Sequence, residues 1–214
     1  MSRKLKIIIS ILIVIIGLIV LTNEYFISKK ISVYDYLNEL YYNIDNADTL
    51  EVNTEENDSE NKNIENSEKT SYRFDDNKDN SIYIGYLSIP EINLKKGFTK
   101  KESKYNTISR NVEILSASDY PDKENGNVIF AAHSGNSSVS YFNKLYLLDK
   151  GALIYITYNN IKYTYKITDI YTVKKSGSIE IKSNKNNSNI TLITCTRDDN
   201  DTQTVYLGEL IEKE

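Results

Sequence analysis

The chain carries one cysteine and one histidine, and each closes an apolar run of similar character. Asn127-Val128-Ile129-Phe130-Ala131-Ala132 delivers His133, and Ile190-Thr191-Leu192-Ile193-Thr194 delivers Cys195, with Arg197 two residues further on. A thiolate attacks a carbonyl, an imidazole exchanges protons near neutral pH, and a fixed guanidinium stabilises the oxyanion that forms. Cys195, His133 and Arg197 are therefore the candidate nucleophile, acid/base and oxyanion donor. Each residue also has a plainer reading. A lone cysteine is often a small buried hydrophobe, a lone histidine a satisfied polar residue, and Arg197 a solvated charge. On spacing alone, a Cys/His enzyme and a structural pair stand about even.

Both runs have the length and β-branched content of buried strands, and strand ends are where a rigid scaffold presents reactive groups. From 82 onward, short apolar runs alternate with polar turns. They predict strands over Ile82–Ile89, Asn111–Leu115, Asn127–Ala132, Leu153–Tyr158, Ile161–Val173, Ile190–Cys195 and Thr204–Ile211. Tyr158-Asn159-Asn160-Ile161 reads as a tight hairpin, since Asn tolerates the left-handed backbone that two-residue turns require. Tyr141, Phe142, Leu145 and Leu148 predict one short helix over Ser140–Leu148, with Gly151 as its stop. The expected class is mainly β, closed into a barrel that removes exposed edges.

Composition narrows the partners. The net charge is −4 and the isoelectric point about 5.3, so no basic field matches a phosphate backbone, and nucleic acid is excluded as a partner. A single cysteine permits no internal disulfide and no cysteine-rich zinc site. Leu5 to Leu21 is nearly unbroken apolar sequence behind Arg3 and Lys4, with Lys6, Ser10 and Gly17 as interruptions. Its core of about 15 residues lies at the lower edge of a membrane span. No small-x-small cleavage site follows it, so residues 1–22 read as a cytoplasmic tip and uncleaved signal-anchor rather than a signal peptide. The basic flank places the N-terminus inside the cell and everything after Thr22 outside. An unpaired thiol in an exported domain calls for an explanation, which favours the enzymatic reading. Residues 23–44 contain an amphipathic juxtamembrane helix from Ser32 to Ile44. Residues 45–81 turn polar and read as a flexible linker with a reach of roughly 30–35 Å. The exported domain is then 82–214.

At the chemistry-bearing residues the sequence resembles the sortase family. Thr191-Leu192-Ile193-Thr194-Cys195 matches the family's Thr-Leu-x-Thr-Cys signature, and Gly126-Asn127 through His133 matches the strand that delivers its histidine. Phe142, Leu145 and Leu148 match its Phe-x-x-Leu-x-x-Leu stretch, and Ile89-Pro90-Glu91-Ile92 its early Ile-Pro-x-Ile strand. The motifs occur together and in family order over about residues 82–212. The resemblance implies an eight-stranded β-barrel and a membrane-anchored cysteine transpeptidase of a Gram-positive-type cell. Cys195 would cleave an LPxTG-like sorting signal through a thioacyl intermediate. His133 would move the protons, and an amine of a peptidoglycan precursor or a pilin lysine would receive the acyl group. No metal or cofactor is implied.

One departure stands out. The family carries its arginine on the final strand, where this chain reads Thr202-Gln203-Thr204-Val205-Tyr206. Arg197 is the arginine available beyond the cysteine, with Gln203 or Thr204 as alternative donors. The loop from Lys174 to Asn189 would flank the peptide groove by the same resemblance. It is too short for the long helix of class B and, with Glu180 its one acidic residue, poor in the oxygens that calcium requires. Two rivals remain. Another exported Cys/His peptidase would place the two residues close together or in the opposite order, whereas here they lie about 60 residues apart. A catalytically inactive barrel that only binds peptide draws on the missing arginine.

Overall fold

The computed structural model describes residues 3–47, 82–177 and 179–214. Most of the expected linker, 48–81, lies outside these. From 82 onward the chain forms β1 (Gly85–Ile89), β2 (Leu94–Phe98), β3 (Glu113–Ile114), β4 (Asn127–Ala131), β5 (Leu153–Tyr158), β6 (Ile161–Lys174), β7 (Asn189–Cys195) and β8 (Thr202–Lys213). Two 3₁₀ turns, Pro90–Ile92 and Leu145–Leu147, complete the described regular structure. The strands pair in the order β2-β1-β5-β6-β8-β7-β4-β3. All pairs are antiparallel except β4 with β7. The sheet curls into a nearly closed eight-stranded barrel, as the sequence predicts.

The main core fills the barrel with Leu87, Ile89, Phe98, Phe130, Ile154, Ile156, Tyr165 and Leu192, all fully buried. Burying an aliphatic or aromatic side chain of this kind contributes about 1.5–3 kcal/mol. β7 is buried from Asn189 through Thr194 because β4 and β8 flank it and both of its faces are covered. Ile190 and Leu192 enter the main core, whereas Ile193 joins Ile129 and Val205 in a smaller cluster on the opposite face. That two-sided burial is why the strand reads as a continuous apolar run.

The expected hairpin is present. Asn159 and Asn160 adopt φ of 50° and 59°, the left-handed pair that a tight β5–β6 turn requires. β2 was not expected, because Leu94-Lys95-Lys96-Gly97-Phe98 lacks a strand's alternation. It is held by full antiparallel pairing with β1. Gly97 is needed there, since a Cβ at that position would lie 2.2 Å from the Tyr83 ring. β3 is shorter than expected because the Asn106 side chain replaces a neighbouring strand. Its Oδ1 accepts from the Ile114 N–H at 2.8 Å and its amide donates to the Ile114 carbonyl at 2.9 Å, which closes an open edge.

The short helix predicted over Ser140–Leu148 is present as the 3₁₀ turn Leu145–Leu147, which closes a succession of turns. Asn143, Leu145, Leu147 and Leu148 each donate to the carbonyl three residues back. Phe142, Leu145 and Leu148 are all buried, and their strict spacing of three matches the 3.0-residue period of a 3₁₀ turn.

α1 (Arg3–Ala47) is one continuous helix running through the residues read as anchor and juxtamembrane segment. No proline falls within it, and its one glycine is Gly17, so nothing in the backbone forces an interruption. Leu5, Ile8, Ile9, Leu18, Ile19 and every residue from Ile11 to Ile16 are exposed. Among the described residues, no helix is long and apolar enough to cross a membrane. The other end of α1 docks on the barrel. Asp35 accepts hydrogen bonds from Tyr83 Oη at 2.6 Å and from the Lys96 ammonium, and Tyr42 packs edge-on against Tyr86 at 5.0 Å. Burial pushes the Lys96 ammonium below its ordinary pKa, with Asp35 opposing that shift.

Candidate active site

The parallel β4–β7 ladder brings the two chemistry-bearing residues together. Its register pairs Ile129 with Thr191 and Ala131 with Ile193. The Ala132 N–H extends it by donating to the Ile193 carbonyl at 3.3 Å. Two residues beyond the last pair, His133 stands level with Cys195 at the same end of adjacent strands. Side-chain hydrogen bonds fasten this end. Thr194 Oγ1 donates to the Ala132 carbonyl at 2.8 Å, and Ser134 Oγ donates to the Cys195 carbonyl at 2.9 Å. From the far side, the Phe142 N–H donates to the His133 carbonyl at 3.0 Å. The buried Phe142–Leu148 turns thereby brace the histidine's backbone.

Strand alternation decides which way each residue faces. On β7 and β8 the even-numbered Leu192 and Tyr206 enter the barrel core, and the odd-numbered Ile193 and Val205 lie on the outer face. Cys195, partly exposed, continues the odd series. Its outer face is floored by Ile129, Ile193 and Val205, and Leu115, Ala131, Tyr171, Val173, Ile179 and Ile181 pack around them. The segment joining β6 to β7 supplies two of these residues, and it contains no helix among its described residues. Tyr171 Oη holds it by donating to the Glu180 carbonyl at 3.3 Å and accepting from the Lys182 N–H at 3.2 Å. The result is an apolar floor leading to a thiol, with His133 carried to the same end on the adjacent strand.

The three candidate oxyanion donors differ in placement. The Arg197 guanidinium lies over the Tyr146 ring at 4.1 Å, with Nε 3.6 Å from Asp198 Oδ2, and its side chain is exposed. Gln203 is the cross-strand partner of Cys195, so both side chains leave the same face of the sheet. Thr204 lies on the other face, where its hydroxyl meets that of Thr196 at 3.0 Å. Two further side chains reach Cys195 that its motif did not indicate: Ser134, and Lys175, whose Nζ lies 3.6 Å from Cys195 Sγ. The sequence shows Lys175 only as one lysine of a basic loop. The register Val173↔Gln203↔Cys195 across β6, β8 and β7 is what carries the start of that loop to the thiol.

The start of β4 is fixed from the opposite end. Asp119 Oδ2 accepts the Asn127 N–H at 3.1 Å and its Oδ1 accepts from Lys123 at 2.6 Å. The Lys123 hydrogen bond, assisted by that of Asn127, holds the Asp119 carboxyl below the usual carboxylate range.

Comparison with known proteins agrees with this architecture. Over 139 residues the chain is 29% identical to Sortase A of Bacillus anthracis, a match covering 62% of this chain and 62% of that protein. It is 28% identical over 121 residues to Sortase A of Staphylococcus aureus, covering 55% of this chain and 57% of that protein. The chain thus spans less than two thirds of the length of these curated relatives. Among solved structures, sortase C1 from Streptococcus agalactiae superposes with a TM-score of 0.55 at 27% identity, over 63% of this chain and 70% of that chain. The family model for the sortase domain matches residues 87–210, from β1 through most of β8 and across both chemistry-bearing strands. By that match, the chain belongs to the sortase family.

Proposed function

We propose that this protein is a membrane-anchored cysteine transpeptidase with Cys195 as nucleophile and His133 as acid/base. The observation that carries the reading is the β4–β7 register, which sets His133 level with Cys195 above an apolar floor. A peptide laid along that floor presents a scissile carbonyl to the sulfur. The Cys195 thiolate adds to the carbonyl carbon, and the negative charge passes to the carbonyl oxygen. When the C–N bond breaks, the leaving amine takes a proton from the His133 imidazolium and a thioester remains. An incoming amine then adds to the thioester carbonyl and gives its proton to His133. The C–S bond breaks, sulfur departs as thiolate, and a new amide is released. Gln203 is the oxyanion donor that register favours; Arg197 serves only after leaving the Tyr146 ring.

The substrate in this reading is an LPxTG-like sorting signal, and the acceptor is an amine of a peptidoglycan precursor or a pilin lysine. The Arg3 end of α1 would hold the enzyme at the membrane, with the barrel outside the cell. Support comes from the apolar side chains bare on every side of the helix between Ile8 and Ile19 and from the basic flank preceding them. The test is product identity. The full chain in detergent is incubated with LPxTG-like and NPxTx-like peptides and an amine acceptor. A peptide–amine conjugate supports transfer, and the hydrolysed acid alone supports a peptidase. No product from a folded protein supports the peptide-binding barrel that the lack of an arginine on β8 suggests.

A further inference from the structure

We infer that Lys175 supplies a standing positive charge that favours the Cys195 thiolate, a role given to no residue by the motifs around the cysteine. Its Nζ lies 3.6 Å from Cys195 Sγ, within hydrogen-bonding reach of a sulfur acceptor. The placement is built into the backbone. β6 ends at Lys174, which pairs with Thr202, and the next N–H, that of Lys175, donates to the Asp201 carbonyl at 2.8 Å. Lys175 follows Val173 on the face shared by Gln203 and Cys195, so its side chain leaves toward the sulfur.

Other charged residues on the elements around Cys195 have contacts of their own, and Asp201 meets Lys175 through its backbone carbonyl. Arg197 lies on Tyr146 beside Asp198. The Asp199 carboxylate accepts from the Asp201 N–H at 2.9 Å and from Thr202 Oγ1 at 2.7 Å, facing its own turn. On the loop side, Lys182 lies over the Tyr171 ring at 5.1 Å, and Glu180 meets Tyr171 through its backbone carbonyl. His133, from the end of β4, is the acid/base of the proposed cycle, giving a proton to the leaving amine and taking one from the incoming amine. A thiolate beside a lysine ammonium is favoured over the thiol, because the cation interacts with the charged form alone. Two opposite unit charges at this separation in a water-exposed setting change the thiolate population by roughly five- to tenfold.

This inference rests on the reading of Cys195 as the nucleophile, but its test uses no peptide. Cys195 is the chain's one cysteine, so alkylation of the full-length protein by neutral iodoacetamide reports on it alone. The rate is measured from about pH 5 to 9 for wild type, Lys175→Met and Lys175→Arg. The expected result is a Lys175→Met profile displaced to higher pH, with a rate at about pH 6 some five- to tenfold below wild type, and a Lys175→Arg profile that tracks wild type. The same displacement is expected in a His133→Ala background, because the lysine acts on sulfur directly. A Lys175→Met profile that superimposes on wild type overturns the inference, as does a Lys175→Arg profile displaced as far as that of Lys175→Met. A displaced profile in a protein that joins no peptide to an amine retires the transpeptidase reading and leaves the Lys175–Cys195 pair standing.

Discussion

The Ser134 hydroxyl donates to the Cys195 carbonyl at 2.9 Å, so the residue after the histidine is tied to the residue that carries the thiol. With the Thr194 bond to Ala132, this fixes the relative height of the two strand ends beyond the last β4–β7 register pair. An imidazole placed a fraction of an ångström away loses efficient proton transfer, so these ties bear on rate more than on fold.

Ser134→Ala removes one such tie at the barrel rim. A hydrogen bond of this kind contributes about 1 kcal/mol to stability, so the thermal midpoint should fall by only a few degrees, while the loosened thiol lowers transpeptidation about three- to tenfold. Steady-state kinetics and thermal unfolding on the same preparations check both halves. A large drop in midpoint would recast Ser134 as a structural residue.

Gln203 and Arg197 are separated by comparing single alanine variants. Loss of an oxyanion donor costs on the order of a hundred- to thousandfold in kcat, which is expected for Gln203→Ala. Arg197→Ala should stay within about threefold, since its guanidinium rests on Tyr146. The reverse order would mean that Arg197 swings to the thiol when peptide binds.

Acid should loosen the start of β4. The Asp119 carboxyl is held below its ordinary value of 3.8. Its contribution to stability is present above that value and lost as pH falls through the depressed folded value. Thermal midpoints of wild type and Asp119→Asn are therefore expected to differ at neutral pH and to converge in acid below 3.8. A constant difference across pH would show that the carboxylate charge is not what anchors Asn127.

Gly97→Ala probes the contact between β2 and the α1 dock. The added methyl would lie 2.2 Å from the Tyr83 ring, which must shift and take its bond to Asp35 with it. Overpacking of this kind costs about 1–3 kcal/mol, read as a lower denaturation midpoint. An unchanged midpoint would mean that Tyr83 moves freely and the dock is weak.

What was legible in the sequence follows physical scale. The meeting of His133 and Cys195 at neighbouring strand ends was legible because two unique residues close two apolar runs, and the Asn159–Asn160 hairpin because left-handed backbone needs such residues. β2 was not legible, since pairing with β1 outweighs the poor strand character of Lys95-Lys96-Gly97. The short helix within Ser140–Leu148 was legible from Phe142, Leu145 and Leu148, but not its 3₁₀ form, because spacings of three and of 3.6 agree over so short a run. Lys175 was invisible as a partner of Cys195. That contact depends on the registers of β6, β8 and β7 together, which no local pattern encodes.

The most direct test of the central claim is intact-mass spectrometry of the full chain incubated with a sorting-signal peptide and no amine acceptor. The mechanism predicts a covalent adduct equal in mass to the N-terminal portion of the peptide as a thioester on Cys195. The adduct should be absent in Cys195→Ala and discharged when an amine is added. Peptide cleavage that persists in Cys195→Ala would contradict the account, because the chemistry would then run without the thiol.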